Sequence, residues 1–241
     1  MTRLLFRSLL AAGLVAAPAA AQRAPNAEDA QFRARRLAMV ERHITGEGIK
    51  DSATLHAMRA VPRHEFVPAG LRDEAYENHP LPIGLGQTIS QPYIVGFMTE
   101  IVRPRPGMRV LEVGTGSGYQ AAVLAATGAD VYTIEIFRAH ADSARARLER
   151  LGYRGVTVRH GDGHDGWTEA APFDAVVVTA AAGHIPPALT RQLRPGGRMI
   201  IPVGSVYGAQ YLILVEKNAE GTLRTRNVLP VKFVPMLSGP R

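Results

Sequence analysis

The stretch Val110-Leu-Glu-Val-Gly-Thr-Gly-Ser-Gly118 decides the fold class, because a short apolar run is followed at once by three alternating glycines. The apolar run has the length and composition of a buried strand. Gly114, Gly116 and Gly118 allow a tight turn and let a ligand approach backbone N–H groups at the start of a helix. The stretch therefore predicts a strand, a nucleotide-binding turn and a helix in sequence.

Short apolar strands and helices alternate around this unit, which is typical of a parallel sheet with crossover helices. Strands are predicted at 108–113, 130–135, 155–160, 173–179 and 197–203, with helices at about 117–127, 138–151 and 186–193. Two more strands, 210–216 and 223–233, are joined by turn-forming residues and predict an antiparallel edge. We expect a doubly wound α/β fold with a mostly parallel seven-stranded sheet.

The N-terminal third has a different pattern, with helical spacing of its apolar residues. One helix is predicted at 28–47, and a second runs from an N-cap at Asp51 to Pro62. A third is predicted at 92–102, where Ser90 is available as a cap and Pro92 suits the first turn. We expect residues 22–105 to form a helical appendage with a substrate segment. Together with the cofactor-binding sheet of residues 106–241, the appendage would make a single domain of residues 22–241.

Residues 1–21 have the layout of a secretory signal peptide, with two arginines, an apolar run and the small residues Ala19-Ala20-Ala21 at the end. A disordered or membrane-skimming leader is the alternative. No other apolar run approaches the roughly 20 residues that span a bilayer. We therefore expect no stable membrane association after removal of the leader.

Charge and composition argue against several functions. The formal net charge is +7, but the positive residues are scattered, so no nucleic-acid surface is predicted. The chain has no cysteine, which excludes disulfides and thiolate zinc sites. His160 and His164 lie in a loop broken by glycines and give little support to a metal site, so none is predicted.

Two acidic residues follow later strands and would meet the glycine turn at the carboxyl edge of the sheet, where ligands of open α/β folds bind. Glu135 could accept both hydroxyls of a ribose, and Asp162 suits an adenine amino group, although it could also be an ordinary turn residue. Tyr119 stands where a dinucleotide fingerprint has its third glycine. Together with the preceding Glu112, this spacing favours S-adenosylmethionine over NAD, whose enzymes remain an alternative.

These segments resemble the protein-L-isoaspartate O-methyltransferases over about residues 35–235. The most specific stretch is Leu81-Pro-Ile-Gly-Leu-Gly-Gln-Thr-Ile-Ser-Gln-Pro-Tyr93, with support from the segments at 61–68, 160–163, 172–178, 193–197, 202–204 and 233–235. The resemblance implies an S-adenosylmethionine-dependent methyltransferase with Ser90 in the active site and Thr88, Phe233 and Val234 over the substrate. The predicted cofactor-binding set is Glu112, Gly114, Gly116, Gly118, Glu135, Asp162 and Gly163.

The resemblance further implies that isoaspartyl residues of damaged proteins are methylated on their free carboxylate, which starts repair through a succinimide. A carboxylate is already ionised at neutral pH, so no general base is required, and Ser90 is better suited to donate a hydrogen bond than to act as a nucleophile. Neither Ser90 nor Ser117 lies in a G-x-S-x-G hydrolase motif. Another methyl acceptor, or a non-catalytic binding protein of this fold, remains an alternative.

Partners and location follow from the same resemblance. We expect isoaspartyl-containing proteins and peptides as partners, and a monomer. The family implies a cytoplasmic location, whereas the leader implies a periplasmic or exported one. An exported enzyme would need a supply of S-adenosylmethionine, so the location stays open at this point.

Overall fold

The computed structural model describes residues 27–239, except Val206. The predicted leader, residues 1–21, lies outside this range. Within it, no helix is long and apolar enough to cross a membrane.

The described part of the chain begins with helices and a small hairpin. Helix α1 (Ala27–Met39) continues as a π-helix over Val40–Thr45, and α2 (Ser52–Ala60) follows. Strands β1 (Leu81–Gly84) and β2 (Gln87–Ile89) pair antiparallel, and α3 (Pro92–Val102) comes next. Short 3-10 helices cover Arg63–Phe66 and Ala69–Glu74.

Three features of this region compare directly with the sequence predictions. The N-cap at Asp51 is confirmed, because its carboxylate accepts a hydrogen bond from the Thr54 N–H at 2.9 Å. The predicted cap at Ser90 is wrong: Pro92 is the first residue of α3, so the cap position falls on Gln91. A side chain from elsewhere, Asn78, accepts from the Tyr93 N–H at 3.1 Å. The β1–β2 hairpin was not predicted.

The main sheet and its helices lie between Arg109 and Val231. Its strands are β3 (Arg109–Val113), β4 (Asp130–Glu135), β5 (Val156–His160), β6 (Phe173–Val178), β7 (Leu193–Gly204), β8 (Gln210–Lys217) and β9 (Leu223–Val231). The helices are α4 (Tyr119–Ala125), α5 (Arg138–Arg150) and α6 (Pro187–Gln192). Two short 3-10 helices, Gly163–Asp165 and Thr168–Ala170, follow β5.

The strand order is β5-β4-β3-β6-β7-β8-β9, with β8 antiparallel to both of its neighbours. The predicted seven-stranded, mostly parallel sheet with an antiparallel edge is thus confirmed. Strand β7 starts four residues before the prediction, because Leu193 already pairs with Phe173, ahead of a shift in register between Leu193 and Arg198. Strand β9 ends at Val231, two residues before the predicted end.

Side chains alternate between the two faces of the sheet, and helices cover both. Val110 packs in a cluster with residues of α3 and α4. Its neighbour Leu111 packs on the opposite face with Leu189 of α6. Because both faces are covered, the ends of the strands are the part of the sheet left for a ligand.

The N-terminal helices pack on the helical layer of the sheet. A third cluster joins Val40, Ile44 and Met58 of the N-terminal region to Tyr119 of α4 and Leu148 of α5. This shared core supports the prediction of a single domain over residues 22–241, which stays a prediction. The β1–β2 hairpin lies close to the carboxyl edge of the sheet. His140 near the start of α5, the helix that follows β4, brings its Nε2 to within 3.3 Å of the Gly84 carbonyl oxygen.

Candidate active site

The glycine turn between β3 and α4 has the conformation that its sequence predicts. Gly114 and Gly116 have φ values of 98° and 51°, which lie in the left-handed region that disfavours other residues. A Cβ on Gly114 would collide with the side chain of Thr179. Glycine is therefore required at Gly114 both by conformation and by space.

Glu135, the last residue of β4, connects the glycine turn to the next loop. Its carboxylate accepts hydrogen bonds from the Gly116 N–H at 2.7 Å and from the Phe137 N–H at 2.9 Å. Glu135 and the glycine turn line a cavity of about 560 Å³. Other lining residues are Gln87, Thr88, Val113, Ile134, Ile136, Phe137, Gly163, Thr179, Ala180, Val234, Pro235, Met236 and Leu237.

Asp162 faces the C-terminal segment and is absent from the lining of this cavity, whereas its neighbour Gly163 belongs to it. One carboxylate oxygen accepts from the Gly239 N–H at 2.7 Å, and the other accepts from the His164 N–H at 2.9 Å and lies 2.8 Å from His164 Nδ1. Burial raises the pKa of Asp162, but these hydrogen bonds outweigh it and leave the pKa below its ordinary value.

Glu112 is fully buried in β3. The Thr133 hydroxyl donates to one of its oxygens, while the other, Oε1, has no well-formed hydrogen bond with the described residues. Burial raises the pKa of Glu112 to about 8; the hydrogen bond from Thr133 opposes this shift and the charge of Glu135 adds to it. Gln120 Oε1 is likewise buried without a partner among the described residues.

Glu112 and Gln120 line a smaller cavity of about 320 Å³ that also includes Ser90 and Gly114. Gln120 Oε1 lacks a donor among the described residues and Glu112 Oε1 has no well-formed one, so both oxygens can accept from a ligand that brings N–H groups. S-adenosylmethionine carries an ammonium group, and Glu135 beside the larger cavity could accept from its ribose hydroxyls. The residues present therefore fit this cofactor.

A third cavity forms an open groove of about 1600 Å³. Ser90, Thr88, Phe233 and Val234, the four residues predicted to contact substrate, all line it. The Ser90 hydroxyl makes no hydrogen bond within the described part of the chain, so it is available to a ligand. Of the predicted cofactor residues, only Gly118 and Asp162 line none of these three cavities, and Gly118 packs against Leu148 instead.

Thr88 and Thr179 line all three cavities and therefore mark the point where they meet. The Thr179 hydroxyl donates to the Gly114 carbonyl oxygen at 2.6 Å and thereby holds the glycine turn. Thr179 was not among the site residues predicted from the sequence. Its position directly after β6, at the same edge as the glycine turn, was the signal that could have identified it.

The fold and the three joined cavities define a class of protein, the S-adenosylmethionine-dependent methyltransferases. A solved structure titled as a putative protein-L-isoaspartate O-methyltransferase from Plasmodium falciparum, in complex with S-adenosyl-L-homocysteine, has the same fold. It gives a TM-score of 0.72 at 23% identity and covers 84% of this chain and 98% of that one.

The family model described as protein-L-isoaspartate(D-aspartate) O-methyltransferase matches residues 34–240, and the chain belongs to this family. A relative named protein-L-isoaspartate O-methyltransferase 2 from Polaromonas sp. (strain JS666) is 60% identical over 197 residues, 82% of this chain and 93% of the relative. One of the same name from Syntrophobacter fumaroxidans is 55% identical over 98% of this chain and 95% of its own length. A solved protein-L-isoaspartate O-methyltransferase gives a TM-score of 0.76 at 30% identity, covering 86% of this chain and 66% of that one.

Proposed function

We propose that this protein transfers a methyl group from S-adenosylmethionine to the free carboxylate of L-isoaspartyl residues in damaged peptides and proteins. The observation that carries the proposal is the junction at Thr88 and Thr179, where the cavity of the glycine turn opens into the groove containing Ser90. A methyl donor on one side of this junction and a peptide on the other would meet there.

The cofactor would be held by the glycine turn and the acidic residues around it. Glu135 would accept from the ribose hydroxyls, and Glu112 would face the ammonium group in the smaller cavity. Asp162 and Gly163 would lie toward the adenine, and Gly118 would act indirectly, by shaping the start of α4. When bound, S-adenosylmethionine supplies an electrophilic methyl group on a sulfonium centre.

The substrate would lie in the groove, with Ser90 and Thr88 on one side and the Phe233-Val234 segment on the other. A carboxylate with an ordinary pKa near 4 is ionised at neutral pH and already nucleophilic, so the protein needs no base. The free Ser90 hydroxyl would donate a hydrogen bond to the isoaspartyl carboxylate or the adjoining peptide. Its contribution is then orientation, which accounts for a large share of catalysis in reactions between two bound partners.

Methylation would turn a poor leaving group into a good one. The peptide nitrogen that follows can attack the ester carbonyl, which closes a succinimide ring and releases methanol. Hydrolysis of the ring then returns part of the residue to normal aspartate. These later steps need no residue of the protein.

The state and location of the protein belong to the same proposal. An open groove suits a monomer that acts on exposed peptide segments. If residues 1–21 are removed on export, the mature chain would act outside the cytoplasm. Mass spectrometry of the protein purified from its own cells would test this, since an intact N-terminus would favour the cytoplasmic location implied by the family.

The test of the reaction compares two peptides that differ only in whether one residue is isoaspartyl or aspartyl. We expect transfer of labelled methyl groups to the isoaspartyl peptide alone, followed by release of methanol at alkaline pH. Equal labelling of both peptides, or labelling only of small metabolites, would refute the substrate assignment. Binding of S-adenosylhomocysteine without any transfer would favour a non-catalytic binding protein.

A further inference from the structure

The groove that contains Ser90 has one charged side chain in its lining. Lys232 follows β9 directly, and every other residue that lines the groove is uncharged at neutral pH. Such a cation attracts anions and disfavours cations in the groove, because no other lining residue carries a charge that opposes it.

Lys232 is exposed and forms no ion pair with the described residues. Lys217 differs in this respect, because its ammonium donates to the carbonyl oxygens of Thr190 and Leu193 at 3.0 and 2.7 Å. Lys217 thus connects β8 to α6 and to the start of β7. The ammonium of Lys232 is instead available to a bound molecule.

The backbone beside Lys232 is fixed. The Phe233 N–H donates to Gln210 Oε1 at 2.7 Å, and the Gln210 amide donates back to the Phe233 carbonyl oxygen at 3.3 Å. Gln210 is itself buried in β8. The lysine side chain therefore starts from a defined point on the rim of the groove.

Lys232 lines the groove but neither of the two cavities at the glycine turn. The methylated carboxylate must lie at the junction of the cavities, beside Thr88 and Thr179. The ammonium of Lys232 is thus placed for a different part of the substrate, farther along the peptide.

We propose that Lys232 is a specificity-determining residue that binds a second carboxylate on the substrate, the side chain of an acidic residue within two positions of the isoaspartyl residue. This inference rests on the proposed function and names a substrate class within it: isoaspartyl sites in acidic surroundings. Exposed ion pairs of this kind favour the matched partner by about two- to fivefold, and salt weakens them.

The experiment uses isoaspartyl peptides in pairs, with glutamate or glutamine at one of the two positions before or after the isoaspartyl residue. The quantity compared is the ratio of kcat/KM between glutamate and glutamine peptides. For the wild type we expect a ratio of about two to five at one position at least, through KM, and a fall toward one at high salt. Lys232→Ala should bring the ratio to about one, and Lys232→Glu should bring it below one.

Arg224→Ala is the matched control, because Arg224 is an exposed cation on β9 that does not line the groove. This variant should keep the wild-type ratio. Binding of the same peptides in the presence of S-adenosylhomocysteine gives a second readout, which does not depend on turnover.

The outcomes separate the inference from the function on which it rests. If the wild type methylates isoaspartyl peptides but Lys232→Ala keeps its preference, the assignment of Lys232 is overturned while the proposed function stands. If Arg224→Ala also loses the preference for glutamate peptides, the preference arises from the net charge of the protein. That result would also overturn the assignment of Lys232. No methylation of any isoaspartyl peptide by the wild type would refute both.

Discussion

The Asp162 carboxylate accepts a hydrogen bond from the backbone N–H of Gly239, with 2.7 Å between Oδ2 and N. This bond ties the C-terminal segment to the end of β5. Met236 and Leu237, which precede the tied residue, form part of the wall of the cavity at the glycine turn. The acid predicted to contact adenine therefore also holds part of the wall of the cavity at the glycine turn.

Replacing Asp162 with alanine should weaken cofactor binding through both roles. Hydrogen bonds to charged groups contribute about 1.5–3 kcal/mol, so we expect the Kd for S-adenosylhomocysteine to rise by roughly 10- to 100-fold. Calorimetric titration measures this directly. Asp165→Ala is the control, since Asp165 is exposed in the same turn. Unchanged affinity in Asp162→Ala would remove Asp162 from the cofactor site.

Glu135→Gln tests the carboxylate that accepts from the Gly116 and Phe137 N–H groups. A glutamine side chain has only one acceptor oxygen, so its amino group would face one of these donors and leave it unpaired. We expect a loss of about 1–3 kcal/mol in the free energy of unfolding and at least a tenfold weaker affinity for S-adenosylhomocysteine. Thermal unfolding and calorimetry provide the two values.

The exposed Glu149 offers the matched control, because Glu149→Gln removes the same charge from α5 without touching the turn. Both quantities should stay close to the wild type in that variant. Cofactor affinity retained in Glu135→Gln would mean that the ribose is bound elsewhere.

The strands and the glycine turn were predictable because their signals are local. Short apolar runs identify β3 and β4, and the glycines of the turn meet a backbone requirement that no neighbour can change. Thr179 was not predictable in the same way, since its hydroxyl acts on Gly114, which is distant in sequence and adjacent only in the folded sheet. The prediction of Ser90 as the cap of α3 was wrong for a similar reason. The side chain that accepts from the Tyr93 N–H in the first turn belongs to Asn78, in another segment of the chain.

Glu112 makes stability depend on pH. Its pKa is raised from an ordinary 4.5 to about 8, so the folded protein holds a proton between these values that the unfolded chain has released. Stability is therefore lost as the pH rises through this window, and the penalty is complete above about 8. The side chain in Glu112→Gln cannot ionise. The free energy of unfolding of this variant, relative to that of the wild type, should therefore grow from pH 5 to 8 and then level off.

The gain in the free energy of unfolding should reach about 4 to 5 kcal/mol, because the pKa values differ by about 3.5 units and each unit corresponds to about 1.36 kcal/mol. Thermal unfolding of both proteins over pH 5–9 gives the comparison, with Glu149→Gln as the control for loss of a negative charge. A difference in Tm between Glu112→Gln and the wild type that stays constant over this range would contradict the raised pKa.

Ser90→Ala separates substrate binding from cofactor binding. The hydroxyl lines the groove and has no hydrogen-bond partner among the described residues, so its removal costs the fold little. A hydrogen bond to a carboxylate contributes about 1.5–3 kcal/mol, and we expect kcat/KM for an isoaspartyl peptide to fall by roughly 10- to 100-fold. The affinity for S-adenosylhomocysteine should change by less than about threefold, because the bond proposed for Ser90 is made to the peptide.

Ser143→Ala is the control for this change, since Ser143 is an exposed residue of α5, away from the groove. It should keep both the wild-type rate and the wild-type affinity. If Ser90→Ala methylates the peptide at the wild-type rate, the hydroxyl has no role in the reaction. A parallel loss of cofactor affinity would instead place Ser90 on the cofactor side of the junction at Thr88 and Thr179, and the orientation of the carboxylate would then have to come from the Phe233-Val234 segment.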